Sequence, residues 1–159
     1  MSTILKNVKL NVAWKYFRTR QSMGVGSIVR DCTGAILAAH SEEFTCVGDA
    51  ISRAASSLLK SLQFGLDAGF QRVVVEFTDA QLKVLIISKD PCLTELHELL
   101  CPIRAYQNHF SFLHFKSVPR VCNKAAKLLA SYAKENNEPS SWFEEGPTFI
   151  LPSVLADLS

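Results

Sequence analysis

Arg120-Val-Cys-Asn123-Lys-Ala-Ala126-Lys127-Leu-Leu129-Ala130 is the stretch on which the reading of this chain turns. It opens the last helix, predicted over Asn123–Lys134, with Asn123 as its cap. Just before it, Phe110–Val118 is rich in aromatics and reads as a strand. Further back, Glu95–Tyr106 carries Leu96, Leu99, Leu100, Ile103 and Tyr106 and predicts an amphipathic helix. A shorter helix follows Asp79, with Leu82, Leu85 and Ile86, until Ser88-Lys-Asp-Pro91 breaks it. Arg72-Val-Val-Val75-Glu76-Phe77 is short and β-branched, the pattern of a central buried strand.

The first third predicts three strands. Val8–Trp14 alternates apolar and polar residues, and Met23–Arg30 and Ala35–His40 flank an Asp31-Cys-Thr-Gly34 turn, a hairpin signal. Gly24 and Gly26 weaken their strand and suit a bulge or a close backbone contact. A helix over about 49–68 places Ile51, Ala55, Leu58, Leu59, Leu62 and Leu66 on one stripe, with Asp49 as N-cap and Gly69 just past the end. Strand, crossover helix and strand imply a parallel pairing inside a mixed sheet. The class is α/β.

At 159 residues the chain is one domain, large enough for its own core. We expect residues 1–134 to form it and 135–159, polar and proline-containing, to trail as an extended tail pinned by Trp142, Phe143 and Phe149. No apolar run approaches the roughly 20 residues of a membrane span. A net charge of +2 is too small to argue for nucleic acid by itself. The five cysteines, Cys32, Cys46, Cys92, Cys101 and Cys122, lack C-x-x-C spacing and read as reduced, packed thiols. Nothing in the spacing of His97, His109 and His114 organises a metal site, and His97 and His114 read as structural. Residues 1–30 are basic and free of acids, as in mitochondrial transit peptides. The fold needs the strand at Val8–Trp14, however, so cytoplasm or nucleus is the expected location and mitochondrial import the lesser alternative.

Five segments, in order, resemble the plant RNase H-like domains, a group related to reverse-transcriptase RNase H. Lys9-Leu-Asn-Val12 resembles their K-L-N-V-D-G-A opening, and Gly24-Val-Gly-Ser-Ile-Val-Arg-Asp31-Cys-Thr-Gly34 their G-x-G-x-V-x-R-D-x-x-G hairpin. Leu62-x-x-Gly65-x-x-x-Gly69-Phe-x-x-Val73-Val-Val-Glu76 is similar to their helix end and following strand. Pro119-Arg120-x-x-Asn123-x-x-Ala126-x-x-Leu129-Ala130 is similar to their last helix, R-x-x-N-x-x-A-D-x-L-A. Trp142, Pro147 and Asp157 echo the tail. The resemblance spans about residues 7–157 and implies an RNase H-like fold. In that fold a five-stranded mixed sheet, its first three strands antiparallel, is flanked by helices.

Active members of that family hydrolyse the RNA strand of RNA–DNA hybrids. Their four carboxylates hold two magnesium ions about 3.5–4 Å apart, and magnesium demands hard oxygen ligands. Carried onto this chain, the strand-one Asp falls on Ala13 and the first-helix Glu, counted back from Gly69, on Ala54. The Asp after Glu76 falls on Thr78, and the last-helix Asp on Lys127. The family's loop histidine falls on Ser117. The resemblance therefore implies a catalytically inactive protein with no metal and no cofactor, of retroelement descent. Glu76 and Asp79 are the residual acids nearby. Asp79 reads more simply as the cap of the following helix, and Lys127 either as solvated or as paired with Asp79 or Glu76.

The leading expectation is a protein-interaction or regulatory module, with an unidentified partner or self-association over about 800 Å² per partner. Candidate faces are the Phe110–Phe115 strand, the Leu96–Tyr106 helix and the tail aromatics. The alternative is sequence-independent binding of RNA, DNA or hybrid without cleavage, through Lys15, Arg18, Arg20, Lys116, Arg120, Asn123, Lys124 and Lys127. Trp14, Tyr16 and Phe17 would either stack bases or pack at the hairpin base. Residual ribonuclease activity through a rearranged site is a third, lesser reading.

Overall fold

Alternation and turn chemistry place three long strands first: β1 (Val8–Phe17), β2 (Ser22–Arg30) and β3 (Ile36–Thr45). The structure, a computed structural model, describes residues 6–88 and 94–157. Helix α1 (Ala50–Asp67) starts where the Asp49 carboxylate accepts from the Ser52 N–H at 3.0 Å, and it ends at Gly69, whose φ of +92° few other residues adopt. Next come β4 (Arg72–Phe77), α2 (Ala80–Ile87) and α3 (Thr94–Ala105), then β5 (Phe112–Ser117) and α4 (Lys124–Tyr132).

The strands order as β5-β4-β1-β2-β3 plus a further edge strand beyond β3, with β1, β2 and β3 antiparallel and β1, β4 and β5 parallel. Alternate residues face opposite sides. Leu10, Val12, Val75 and Phe77 meet Leu58, Leu62, Leu82 and Leu100 of the helical layer to form the main core. On the other side, Ala13, Ile28 and Ala39 meet Ala126 and Leu129 of α4. Here Gly24 and Gly26 are a close-approach device. A Cβ on Gly26 would lie 2.2 Å from the Ala126 carbonyl oxygen, and one on Gly24 2.1 Å from that of Ala130. The contact alternative for these glycines is the one realised; the only register shift between β2 and β3 falls at Val29/Arg30.

The tail departs from expectation. Ser140–Phe143 forms a sixth strand, β6, antiparallel to Ala38–Ser41 of β3, so the sheet of the described residues has six strands rather than five. Its pairing is made by backbone, which a four-residue Ser-Ser-Trp-Phe segment after Pro139 does not advertise. A short helix, α5 (Leu151–Asp157), follows. Ile150 and Val154 seat this segment in the core beside α4, and the aromatics touch the body at its margin: Trp142 and Phe149 lie 6.2 and 4.9 Å from the Tyr132 ring, and Phe143, 57% exposed, lies 6.4 Å from Phe64. Cys32, Cys46, Cys101 and Cys122 are free thiols, and Cys92 lies outside the described residues. No helix of the described residues is long and apolar enough to cross a membrane.

Candidate functional site

β1 outruns its neighbour. Its pairing with β4 stops at Asn11 opposite Glu76, whereas it continues along β2 as far as Phe17. The two strands part there, and a cleft of about 710 Å³ opens in the fork. Val12–Trp14 of β1 form one wall, Thr78 and Asp79 after β4 the other, and the β5–α4 connection with the first turn of α4 closes the top. This is the carboxyl end of three parallel strands, where α/β sheets hold their ligands.

The fork strips β1 of its β4 partner, and α4 supplies replacements. Asn123 Nδ2 donates to the Val12 carbonyl at 2.7 Å, and Lys127 Nζ donates to the Trp14 carbonyl at 2.6 Å. Asn123 is thus at the start of α4 but does not cap it with its side chain, contrary to expectation; the amide is spent on β1. Its Oδ1 is buried without a partner. Lys127 keeps much of its stem in solvent. Its ammonium is nevertheless held below the ordinary lysine pKa, first by loss of water and then by the charges of Lys15 and Arg120.

Ala13, Thr78 and Lys127 line one cleft. Ala54 is not on its wall: it is 1% exposed and packed in the main core. Lys127 is neither freely solvated nor paired with an acid. Asp79 is turned toward α2, where Oδ1 accepts from the Leu82 N–H at 2.9 Å. Glu76, 6% exposed, accepts from Asn11 Nδ2 at 3.0 Å, and Asn11 Oδ1 in turn accepts from the buried Arg30.

Of the basic candidates, Arg120, Lys124 and Lys127 line the cleft, and Lys15 is near enough to act on Lys127. Arg18 and Arg20 sit on the β1–β2 turn away from it, with Arg20 ion-paired to Glu43 at 2.6 Å. Lys116 is exposed on β5. The hairpin aromatics pack rather than present stacking faces: Phe17 is buried, Arg53 covers the Tyr16 ring, and Trp14 leans on Phe77. The signal missed in the sequence is the pair of backbone acceptors, Val12 O and Trp14 O, which no residue type marks.

A magnesium pair needs a cage of hard oxygen donors. The cleft lining offers one carboxylate, Asp79, already engaged, against Arg120, Lys124 and Lys127. Among the described residues no group of three or more His, Cys, Asp or Glu side chains gathers as a metal donor set. The donors present do not fit the metal pair.

The family model described as reverse transcriptase-like matches residues 9–133. Among solved structures the chain is similar to RNase H1 from the halophilic archaeon Halobacterium salinarum NRC-1, at 17% identity and a TM-score of 0.72, covering 81% of this chain and 98% of that one. It is also similar to the N-terminal RNase H domain of a Mycobacterium tuberculosis protein, at 17% identity and a TM-score of 0.67, covering 82% and 95%. A compost-derived RNase H1 in complex with an RNA/DNA hybrid gives 18% identity and a TM-score of 0.68, covering 81% and 97%. No match is found among curated proteins. These likenesses show the fold, and the family match over residues 9–133 takes in the cleft and α4 together. The chain belongs to the reverse transcriptase-like family, built on the RNase H fold.

Proposed function

We propose that this is a non-hydrolytic RNase H-like domain whose cleft binds the sugar–phosphate backbone of nucleic acid without a metal. The observation that carries this reading is Lys127. Its ammonium, moored to the Trp14 carbonyl, stands with Arg120 and Lys124 on the wall where the family resemblance places a carboxylate. Carboxylates would repel phosphates; a cluster of cations attracts them and releases their counterions. Hydrolysis through Glu76 and Asp79 finds no support, because one is buried with Asn11 and the other caps α2.

The test is a titration of a labelled RNA–DNA hybrid at two salt concentrations, with and without magnesium. Expected are binding without magnesium, a steep loss of affinity with salt, and an intact RNA strand in every lane. Each phosphate neutralised contributes about −0.9 to the log–log salt slope, so Lys124→Ala with Lys127→Ala flattens it by about 2. No shift at low salt, or cleavage that appears with magnesium, overturns the reading.

A protein-interaction role rests on a separate observation. Val84 and Ile87 stand 59% and 57% exposed on α2, on a different element from the cleft. Light scattering over a concentration series tests self-association through that patch, and a monomer throughout, unchanged by Val84→Ser, counts against it.

A further inference from the structure

One face of the sheet is covered only in part. Helix α4 packs on β2 and β1, with a smaller contact to β3. The register places Lys9, Val74 and His114 side by side on that same face, with Arg72 beside Phe112 one row away and Glu76 beside Lys116 on the other flank. Phe112, His114, Lys116 and Lys9 are exposed, and Phe112, at 37%, is large for an uncovered apolar side chain on an edge strand. The Phe112 and His114 rings lie 6.5 Å apart, tilted 31°, and the Arg72 guanidinium sits 5.3 Å over the Phe112 ring. The acid on this side, Glu76, is sunk and bonded to Asn11.

We propose that this open face of β4 and β5 is a stacking platform for the unpaired bases of a single nucleic acid strand. His114 and the exposed part of the Phe112 ring offer π-surface to successive bases; Arg72 lies over one face of Phe112 and, with Lys9 and Lys116, brackets the platform with positive charge for the backbone. Aromatic residues alternating with cations on an exposed sheet are the combination that holds single strands without reading sequence. A duplex cannot use it, since its bases are already stacked on one another. The surface extends the cleft reading, because β5 runs from Lys116 directly into Val118 and Arg120 of the cleft wall. It nevertheless stands on different residues, and the two readings succeed or fail separately.

The test uses the whole chain and fluorescence anisotropy at low salt. A labelled oligothymidylate is compared with an abasic backbone of the same length and charge, and with a hybrid duplex. Stacking makes the abasic strand bind about tenfold more weakly. Phe112→Ala costs the oligothymidylate about tenfold and leaves the duplex unchanged; His114→Ala costs it less, and Phe112→Trp preserves binding. Equal affinity for base-bearing and abasic strands overturns the platform. So does a failure of both alanine variants to weaken the single strand, or a dimer formed over β5 that shuts the oligonucleotide out. Loss of duplex binding in Lys124→Ala with Lys127→Ala, by contrast, reports on the cleft alone.

Discussion

Helix α4 meets the sheet in two different ways on two of its faces. From Ala126 to Ala130 it lies directly on the backbone of β2, a contact that only Gly24 and Gly26 permit. At Asn123 and Lys127 it stands off the forked end of β1 and is joined by two side-chain hydrogen bonds to carbonyls. The face carrying Ala126 and Ala130 is a hard contact with no room for another atom, and the face carrying Asn123 and Lys127 is a pair of adjustable arms over a cavity. Such a helix can keep its seat while the chemistry at its first turn is rewritten. That division explains how a last-helix motif stays recognisable although a cation occupies the position expected to hold an acid.

The comparison breaks most severely at Gly26. Gly26→Ala places a methyl 2.2 Å from the Ala126 carbonyl and 2.6 Å from the Ala130 nitrogen, both backbone, so the helix itself must shift. Denaturant unfolding should register a loss of roughly 3 kcal/mol or more, the upper end of the overpacking range. Less costly is Asn123→Ala, which leaves the buried Val12 carbonyl unpaired but also removes the unsatisfied Oδ1. A loss of about 1–2 kcal/mol is expected, with the far-ultraviolet spectrum unchanged.

Lys127 should matter least for stability and most for pH. Lys127→Met gives up the bond to Trp14 but also a dehydrated cation, so the net change by unfolding should stay within about 1 kcal/mol. Because its pKa is lowered in the folded state, the cost of that charge is fully present at neutral pH. It fades as pH rises through the lowered value toward the 10.5 of an unperturbed lysine. Stability of the native protein relative to Lys127→Met should therefore climb across that alkaline window. Backbone binding runs the other way. The ammonium is lost at lower pH than in a free lysine, so affinity falls on alkaline titration sooner than in Lys127→Arg, whose charge persists. Parallel curves for the two proteins would separate Lys127 from the bound phosphate.

What the sequence disclosed was whatever side-chain type and period encode. The caps at Asp49 and Asp79, the turn glycines, the five longer strands and the α1 stripe all carry such marks, and the resemblance in five segments set their order. What stayed hidden was written in backbone. Nothing about Trp14 says that its carbonyl will be freed by a diverging neighbour, so the sequence leaves Lys127 either solvated or paired with Asp79 or Glu76, and the structure shows neither. Ala54 is an alanine in either a cleft or a core, and only the helix's rotation shows that it belongs to the core. The Phe110–Phe115 strand and Lys116 are candidates in the sequence, but that Phe112, His114 and Lys116 share an uncovered side of the sheet shows only once one knows where α4 ends.

β6 limits where this chain can be shortened. It pairs with the outer ladder of β3 at Ala38–Ser41, reinforced by the His40–Ser141 bond at 2.7 Å and the Glu144 N–H to Leu37 carbonyl bond at 2.7 Å. A version ending after residue 134 would leave that ladder open to strands from other copies. Solubility, before any binding property, would be the first casualty, and the polar tail would prove to be the guard on an otherwise sticky edge.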